Sequence, residues 1–497
     1  MFNKILIANR GEIAVRIIRA CKELSITSAA IYSEADTTAL HTLLADEAYF
    51  IGAAQSSESY LNKEKIIKLA KEIGADAIHP GYGFFSENAD FINEVEQAGI
   101  TYIGPSAKSV MMMGSKTAAR QLMKQHNVPI VPGTTSPINN SIEGVKIAKE
   151  IGYPILLKAS AGGGGKGMRK ISEAKEFASA FEATKREALK SFANDEVYIE
   201  KYIENPKHIE VQIIADKHGN YRHVFERECS IQRRHQKIIE EAPSSFVDEE
   251  TRLKLTVAAI NAAKACNYYN AGTIEFLMDK NKEFYFLEMN TRLQVEHPVS
   301  EYISGLDLVK EQISIAMGNK ISFEQNDIKI NGHSIECRIY AEDAENNFMP
   351  STGILTEYSA PSGPGVRVDA GFKRDSEISI YYDPLIAKLI LWAPDRSTAI
   401  SRALRALDEY HISGVITNIH FLKKVIASPP FVSGNFDITY IDKQLDILLK
   451  KSTDLILNEE EDAAAIVSAL LKNQTKSSSV YKLINGNNNR WEEQLYE

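Results

Sequence analysis

Two apolar, strand-like runs that each carry a glutamate constrain the fold of this chain more than any other feature. They lie in AGTIEFLMDKNKEFYFLEMN, residues 271–290, where the short polar segment DKNK separates them. Two such runs around a short turn predict a β-hairpin, which would bring Glu275 and Glu288 together. Asn290 would share a strand face with Glu288, because alternate residues of a strand point to the same side.

Two carboxylates and an amide oxygen are hard ligands of the kind that Mg²⁺ accepts while it bridges nucleotide phosphates. Buried together without a cation, Glu275 and Glu288 would repel each other and lose their hydration, at a cost of several kcal/mol. We therefore predict a divalent metal site, for Mg²⁺ or Mn²⁺, on Glu275, Glu288 and Asn290.

The segment after the hairpin, RLQVEHPV at 292–299, continues to alternate polar and apolar residues. As a strand, it would place Arg292, Gln294 and Glu296 on one face. The guanidinium of Arg292 fits a carboxylate-shaped anion such as bicarbonate, and Glu296 beside it can accept a proton. A solvated edge strand with alternating charges is the alternative interpretation.

A run of glycines at 162–165 lies between Lys158 and Lys166 in YPILLKASAGGGGKGMRK, residues 153–170. Consecutive glycines let backbone N–H groups surround phosphate oxygens with no side chains in the way. A Walker A loop is excluded, because no Gly-Lys-Ser/Thr follows at the required spacing. A lone glycine run is more often a surface loop, but the flanking lysines and the hairpin acids favour a phosphate-binding loop.

Residues 200–203, EKYI, lie between two apolar strand-like runs, and His208 begins the second run. A hinge between strands can offer backbone groups to an adenine edge while apolar neighbours hold the ring. A junction of ordinary structure with a core histidine would explain the pattern equally well.

Four basic residues, Arg233, Arg234, His235 and Lys237, fall within five positions of FERECSIQRRHQKIIEEAP, residues 225–243. In a chain with a net charge of -9, such a cluster is either a solvated face or an anion pocket, and we favour the pocket. Nucleic-acid binding is disfavoured, because no aromatic residues interleave with the charges.

The remaining sequence predicts several domains. Residues 1–113 alternate apolar runs (KILIA, SAAIYS, ADAIHP) with an amphipathic segment around Ile13 and Ile17, which predicts a doubly wound α/β sheet. The turn after the first run reads NRGEIA, so the dinucleotide fingerprint GxGxxG is missing. Residues 114–318 carry most of the chemistry, 319–446 read as mostly β with later helices, and 447–497 as a helical, partly flexible tail.

Cellular context is predicted from what the sequence lacks. No apolar run reaches the roughly 18 residues of a membrane span, and the N-terminus has no cleavable signal pattern, so we expect a cytoplasmic protein. Its four cysteines, Cys21, Cys229, Cys266 and Cys337, have no CxxC spacing, so buried, inert thiols are expected.

Together these segments resemble the biotin carboxylase family over residues 1 to about 446. The resemblance is carried by NRGEIAVRIIRACKEL, HPGYGFFSENADF, IGPS, MGSKTAAR, AGGGGKGMR, ECSIQRRHQKIIEEAP and EMNTRLQVEHPVSE. It implies an N-terminal pre-ATP-grasp domain, an ATP-grasp domain whose residues 131–203 form a mobile lid, and a C-terminal mixed α+β domain.

The resemblance also implies the site residues. ATP would be surrounded by Lys116, Lys158, Gly164, Gly165, Glu200, Lys201, Tyr202, Ile203, His208 and His235, with the metal on Glu275, Glu288 and Asn290. Bicarbonate would bind Lys237, Arg292, Gln294 and the Val295 backbone, with Glu296 as base. Arg338, in SIECRIYAED, would face biotin and stabilise negative charge on its ureido oxygen.

No biotin-attachment sequence of the AMKM type occurs in the chain. The resemblance therefore implies that the biotin carboxyl carrier protein and the carboxyltransferase subunit are separate proteins. It also implies a homodimer to which Arg16 and Arg19 contribute, and it leaves the final acceptor open among pyruvate, acetyl-CoA and propionyl-CoA. The alternatives are another ATP-grasp ligase that joins a carboxylate to an amine, and a non-catalytic nucleotide sensor.

Overall fold

The computed structural model describes residues 1–160, 167–192 and 194–449. Its N-terminal part is a parallel five-stranded sheet in the order β3-β2-β1-β4-β5, which confirms the predicted doubly wound arrangement. The strands are β1 (Lys4–Ile7), β2 (Thr27–Ser33), β3 (Glu47–Gly52), β4 (Ala77–His79) and β5 (Thr101–Tyr102), and the helices α1 (Gly11–Glu23), α2 (Leu40–Leu44), α3 (Lys63–Glu72), α4 (Ala89–Gln97) and α5 (Ala107–Gly114).

Helix α6 (Lys116–Gln125) leads into a small module with its own sheet. The module consists of α7 (Ser141–Ile151), β6 (Ile155–Ala159), β7 (Met168–Ile171), α8 (Phe177–Phe192) and β8 (Val197–Lys201). Its strands pair antiparallel in the order β7-β6-β8, and apolar residues from Ile138 to Ile199 form a core within the module. A segment that moves as one body needs a core of its own, and this module has one. The mobile lid over residues 131–203 stays a prediction.

The chain then builds a large antiparallel sheet. This part comprises β9 (Lys207–Ala215), β10 (Tyr221–Arg233), β11 (Gln236–Ala242), α9 (Glu249–Ala265), β12 (Asn270–Met278), β13 (Phe284–Asn290), α10 (His297–Ser304) and α11 (Leu308–Ala316). One face of β9 and β12 packs its apolar residues, such as Ile209, Val211 and Phe276, against α9. The alternate residues of these strands therefore point to the opposite face, which carries the polar groups.

The last described part is mostly β and ends in helices, as predicted. Its elements are β14 (His333–Tyr340), β15 (Glu342–Asp343), β16 (Met349–Pro350), β17 (Gly353–Ile354), β18 (Glu357–Ser359), β19 (Val366–Ala370), β20 (Glu377–Ile378), β21 (Leu385–Ala393), α12 (Arg396–Glu409), β22 (His411–Ser413), α13 (Ile419–Ala427), α14 (Pro429–Ser433) and α15 (Tyr440–Leu449).

The large sheet runs across the boundary that the sequence suggested at 318/319. Its eight strands follow the order β13-β12-β9-β10-β11-β14-β21-β19, so β11 pairs directly with β14. Hydrogen bonding across this junction joins the site-bearing strands of the middle part to those of the C-terminal part. The domain boundaries stay a prediction, and the tail helix predicted after residue 446 falls almost wholly outside the described residues.

The cysteines and the hydrophobicity of the helices bear on the general character of the chain. All four cysteines are buried and unpaired, as predicted. Among the described residues, no helix combines the length and apolar character needed to cross a bilayer. The cytoplasmic location stays a prediction.

Candidate active site

Three acidic residues lie side by side across neighbouring strands of the large sheet. Glu288 on β13 lies directly opposite Glu275 on β12, which lies opposite Glu210 on β9. Only residues 279–283 separate β12 from β13, so the predicted hairpin is confirmed. The side-chain amide of Asn290 donates to Glu275 at 2.8 Å. The structure thus brings together all three of the predicted metal ligands.

The two hairpin acids differ in their electrostatics. Burial and the charge of Glu275 raise the pKa of Glu288 above its ordinary value. Burial acts in the same direction on Glu275, but Lys237 and His208, whose Nε2 lies 3.1 Å from Glu275, hold the pKa of Glu275 well below its usual range. Two repelling carboxylates beside an amide form a donor set that fits a divalent cation, which would favour the ionised form of both.

Lys237 lies at the centre of the acidic residues. Its ammonium is 2.5 Å from Glu210, 2.8 Å from Glu275 and 2.7 Å from Glu296. Burial alone would favour a neutral Glu296, but Lys237 and Arg338 outweigh burial and hold the pKa of Glu296 well below its usual range. Glu296 is therefore ionised near neutral pH, which is the state that a proton acceptor needs.

Arg338 on β14 binds the other side of Glu296. Its guanidinium donates to Glu296 at 2.9 Å and to Glu240 at 2.6 Å. A cavity of about 590 Å³ opens beside it, within the range of roughly 300–1,000 Å³ found for small-molecule sites. The cavity is formed by residues that follow strands of the N-terminal sheet, by the loop after β13 and by the C-terminal part, among them Asn9, Tyr82, Arg292, Val295, Arg338 and Tyr381.

The predicted strand over 292–296 is wrong. Strand β13 ends at Asn290, and 291–296 form a loop before α10. The backbone N–H of Thr291 donates to Glu87 at 2.9 Å instead of pairing in the sheet, and the His297-Pro298 pair begins a helix. Proline at the first positions of a helix is favoured because it lacks the N–H that would have no partner there.

The residues of this loop nevertheless converge on the acidic cluster. Arg292 donates to Glu87 at 3.0 Å and to the side-chain oxygen of Asn290 at 2.9 Å, and Gln294 donates to Glu275 at 2.9 Å. Side chains of a loop reach the site through individual hydrogen bonds rather than through the alternation of a strand. The predicted grouping of Arg292, Gln294 and Glu296 is therefore found, but for a different structural reason.

On the side predicted for the nucleotide, Lys158 and Glu200 form an ion pair at 2.5 Å between β6 and β8. Glu200 is also bound at 2.5 Å by Arg120 of α6. Lys116 is the first residue of α6 and is one of the charges that act on Glu288. His208 on β9 connects to Gln232 at 2.8 Å. The predicted phosphate-binding glycines, Gly164 and Gly165, lie outside the described residues.

The residues of the predicted adenine hinge, 200–203, span the end of β8 and the start of the loop to β9, and part of their backbone is already engaged. The N–H of Lys201 donates to the carbonyl of Pro132 at 2.7 Å, and that of Tyr202 donates to Pro154 at 3.2 Å. The ammonium of Lys201 binds the carbonyl of Gly152 at 2.7 Å. Backbone contacts of Lys201 and Tyr202 with a nucleotide would therefore have to use their carbonyl groups, and the nucleotide role of residues 200–203 stays a prediction.

The predicted pocket formed by four adjacent basic residues is wrong. Arg234 and His235 are exposed at the turn between β10 and β11, both with positive φ, whereas Lys237 points into the acidic cluster. Arg233 packs on the ring of Phe348 at 4.1 Å and lies 3.7 Å from Glu342. A hairpin turn sends neighbouring residues to different sides, so closeness in sequence did not produce one pocket.

Two residues that hold predicted site residues, Glu210 and Glu87, were not themselves predicted. Glu210 lies on β9 between His208 and Gln212, and its alternation with Ile209 and Val211 in KHIEVQIIA was a detectable signal of one polar face. Glu87 binds Arg292 from about 200 residues away in sequence, and no local pattern could reveal that pairing.

Near the cavity, Glu12 on α1 is buried, and its pKa is raised to about 7 by burial, which Lys388 only partly offsets. The folded state holds the proton of Glu12 more tightly than the unfolded chain does. The protonated carboxyl therefore contributes fully to the free energy of unfolding below about pH 4.5, and this contribution is lost as the pH rises through about 7. As the pH rises from about 5 to about 8, the free energy of unfolding should therefore fall less in Glu12→Gln than in the wild type, by up to ~3 kcal/mol. Urea unfolding at each pH measures this, and parallel profiles would contradict it.

Three family models match successive parts of the chain. Residues 1–110 match "Biotin carboxylase, N-terminal domain", residues 115–324 match "Carbamoyl-phosphate synthase L chain, ATP binding domain", and residues 336–443 match "Biotin carboxylase C-terminal domain". The matches together cover most of the described residues.

Individual relatives agree with the family models. Biotin carboxylase 2 of Bacillus subtilis is 51% identical over 445 residues, which are 90% of this chain and 100% of that protein. The biotin carboxylase of a Nostoc species is 50% identical over 442 residues, or 89% of this chain and 99% of that protein.

A solved structure is similar along the same length. It is the biotin carboxylase domain dimer of the Hydrogenobacter thermophilus 2-oxoglutarate carboxylase, in complex with MgADP, ADP and bicarbonate. The TM-score is 0.85 at 49% identity, and the match covers 91% of this chain and 100% of that chain.

Proposed function

The chain belongs to the biotin carboxylase family, and on that premise we propose that it uses MgATP and bicarbonate to carboxylate biotin on a separate carrier protein. One observation carries the proposal. Lys237 joins Glu275 to Glu296, and Glu296 is joined in turn to Arg338 beside the cavity. A single hydrogen-bonded cluster therefore links the predicted metal site, the predicted base and the predicted biotin site.

Glu275, Glu288 and the side-chain oxygen of Asn290 would hold the metal ion, which supplies positive charge to the nucleotide phosphates when bound. Lys116 and Lys158 would add charge on the same side. Glu200 holds Lys158 at 2.5 Å, so the lysine is already directed when the nucleotide arrives.

Bicarbonate would bind between Lys237, Arg292, Gln294 and the backbone of Val295, next to Glu296. In the free protein, Lys237 and Arg338 both hold Glu296 and make it a weak base. When Lys237 turns to bicarbonate and Arg338 turns to biotin, Glu296 loses two hydrogen bonds, and its affinity for a proton rises. Substrate binding thus prepares the carboxylate to accept the bicarbonate proton.

The deprotonated bicarbonate oxygen then attacks the γ-phosphorus, and the bond to ADP breaks, which gives carboxyphosphate. Carboxyphosphate separates into CO₂ and phosphate, and the phosphate takes the proton from N1 of biotin. Arg338 stabilises the negative charge that develops on the ureido oxygen while N1 attacks CO₂. Water would hydrolyse carboxyphosphate, so closure of the predicted lid, residues 131–203, is part of the proposal.

We also propose the partners and the domain limits. The carrier protein and a carboxyltransferase are separate chains, and the domains span about 1–113, 114–318 and 319–446. In the proposed homodimer, the two arginines of α1 play different parts. Arg16 is buried against Glu301 at 2.9 Å and Asp307 at 2.6 Å of its own chain, whereas Arg19 is exposed and can reach a partner.

ADP release from MgATP by the purified chain tests the proposal when bicarbonate and free biotin are omitted in turn. We expect the full rate only with both present, and acid-labile carboxybiotin as product. ADP release that needs an amine and a carboxylate instead would favour an ATP-grasp ligase of another kind. Nucleotide binding without ADP release would favour a sensor and contradict the proposal.

A further inference from the structure

A lysine lies fully buried behind the loop that carries the predicted bicarbonate residues. Lys388 is on β21 and has no exposed surface. Its ammonium donates to the backbone carbonyl of Val295 at 2.8 Å and lies 3.3 Å from Glu12 and 4.0 Å from Asp369. Burying an ammonium costs several kcal/mol unless well-placed partners compensate, so these partners define what the lysine does.

The acidic partners account for only part of the position of the ammonium. Arg367 binds Asp369 with two hydrogen bonds at 2.9 and 2.6 Å, so this carboxylate is already neutralised. Glu12 is farther from the ammonium than the carbonyl is, and burial keeps part of it protonated at neutral pH. The shortest contact of this buried cation is therefore with a neutral carbonyl group.

The carbonyl of Val295 belongs to the peptide unit that leads into Glu296. This unit lies in the 291–296 loop, where no sheet pairing fixes the backbone. A charge-assisted hydrogen bond to the carbonyl fixes the plane of the peptide, and with it the directions of the Val295 backbone and of the Glu296 side chain. Lys388 also lies directly opposite Arg338 in the pairing of β21 with β14.

We propose that Lys388 is a positioning residue for bicarbonate, which holds the Val295–Glu296 peptide in the orientation that bicarbonate binding and proton acceptance require. This inference rests on the proposed function. Lys388 itself does not touch the substrate in this proposal. It acts through the loop, so its effect falls on bicarbonate rather than on the nucleotide, whose predicted residues lie on other elements.

The test compares two substitutions of Lys388 with a matched control. Lys388→Met removes the ammonium but keeps an unbranched side chain of similar length. Lys388→Gln keeps a neutral hydrogen-bond donor and is the milder change for folding. Lys207→Met is the control, because Lys207 is also a buried lysine of this sheet, bound to a carboxylate, Glu228 at 2.8 Å, and to a backbone carbonyl, Gly434 at 3.2 Å.

Steady-state ADP release gives separate KM values for bicarbonate and for ATP, and thermal unfolding reports stability. In Lys388→Met we expect the KM for bicarbonate to rise about tenfold or more, with the KM for ATP changed by less than about threefold, as the loss of one hydrogen bond to a charged group predicts. Lys388→Gln should fall between Lys388→Met and the wild type. Lys207→Met should lower the unfolding temperature without raising the KM for bicarbonate.

The outcomes separate this inference from the proposed function. If the wild type shows no bicarbonate-dependent ADP release, the proposed function fails. If the wild type is active but folded Lys388→Met and Lys388→Gln keep its KM for bicarbonate, only the inference fails. Should Lys388→Met not fold, Lys388→Gln alone decides. An equal rise of both KM values, or the same rise in Lys207→Met, would mean that Lys388 is merely structural.

Discussion

Glu296→Gln should lower bicarbonate-dependent ADP release by about 10²- to 10⁴-fold, the usual contribution of a general base. Glutamine has nearly the same shape but cannot accept the bicarbonate proton. Glu296 is buried and held by Lys237 at 2.7 Å and by Arg338 at 2.9 Å, so water cannot easily replace it. MgATP binding, measured by titration calorimetry, should change by less than about threefold, because the predicted nucleotide residues remain.

Glu301→Gln is the matched control for this substitution. Glu301 lies five residues further along, on α10, is also buried, and is also bound by two basic residues, Arg16 at 2.9 Å and Arg367 at 2.7 Å. We expect Glu301→Gln to destabilise the fold but to keep turnover within about threefold. Comparable losses of turnover in both variants would mean that Glu296 matters for folding rather than for proton transfer.

Arg338→Ala should reduce biotin-dependent turnover by about 10²-fold or more, as expected when a donor to developing negative charge is removed. Nucleotide binding should stay within about threefold, because Arg338 contacts Glu296 and Glu240 rather than the predicted nucleotide residues. Carboxybiotin formation and nucleotide affinity are measured side by side. Equal losses in both would contradict the assignment of Arg338 to biotin.

Arg396→Ala is the control for Arg338→Ala. Arg396 binds Glu241, at 2.7 Å, whereas Arg338 binds the preceding residue, Glu240. Consecutive residues of β11 point to opposite faces of the sheet, so the half-buried Arg396 forms a similar pair with a buried carboxylate away from the cavity. It should lower stability without a selective loss of carboxybiotin formation. A selective loss in Arg396→Ala would attribute the effect of Arg338 to the sheet instead of the site.

The site was predictable from the sequence where the pattern of residues was local. The hairpin acids Glu275 and Glu288 were placed together because two strands and a short turn leave no other arrangement. The alternating parallel strands of the N-terminal part were likewise predicted, since apolar periodicity directly reflects burial.

The predictions failed where tertiary contacts decide the local structure. The alternation in RLQVEHPV imitates a strand, but Glu87 takes the N–H of Thr291 and a helix begins at His297. The basic residues 233–237 are adjacent in sequence, yet the turn at Arg234 and His235 separates them. In both cases the competing interaction comes from chain geometry or from a distant residue that a local pattern does not contain.

Lys388 was detectable but was not interpreted. It is the only charged residue in the apolar run LIAKLILWA, residues 385–393, which forms β21, an inner strand between β14 and the edge strand β19. A lone lysine in a strand that is buried on both faces must have a specific partner, because its burial is otherwise too costly. The sequence could show that a partner exists, but not that the partner is the carbonyl of Val295.

In the proposed mechanism, bicarbonate and the γ-phosphate of ATP meet and react with each other in one site. Such a reaction must transfer one oxygen atom from bicarbonate to the released phosphate. With ¹⁸O-labelled bicarbonate and a reaction time shorter than isotope exchange with water, mass spectrometry of the released phosphate should show about one labelled oxygen per phosphate, because a bicarbonate oxygen attacks phosphorus. Phosphate that carries no label, because its new oxygen comes from water, would contradict a direct reaction between bicarbonate and ATP.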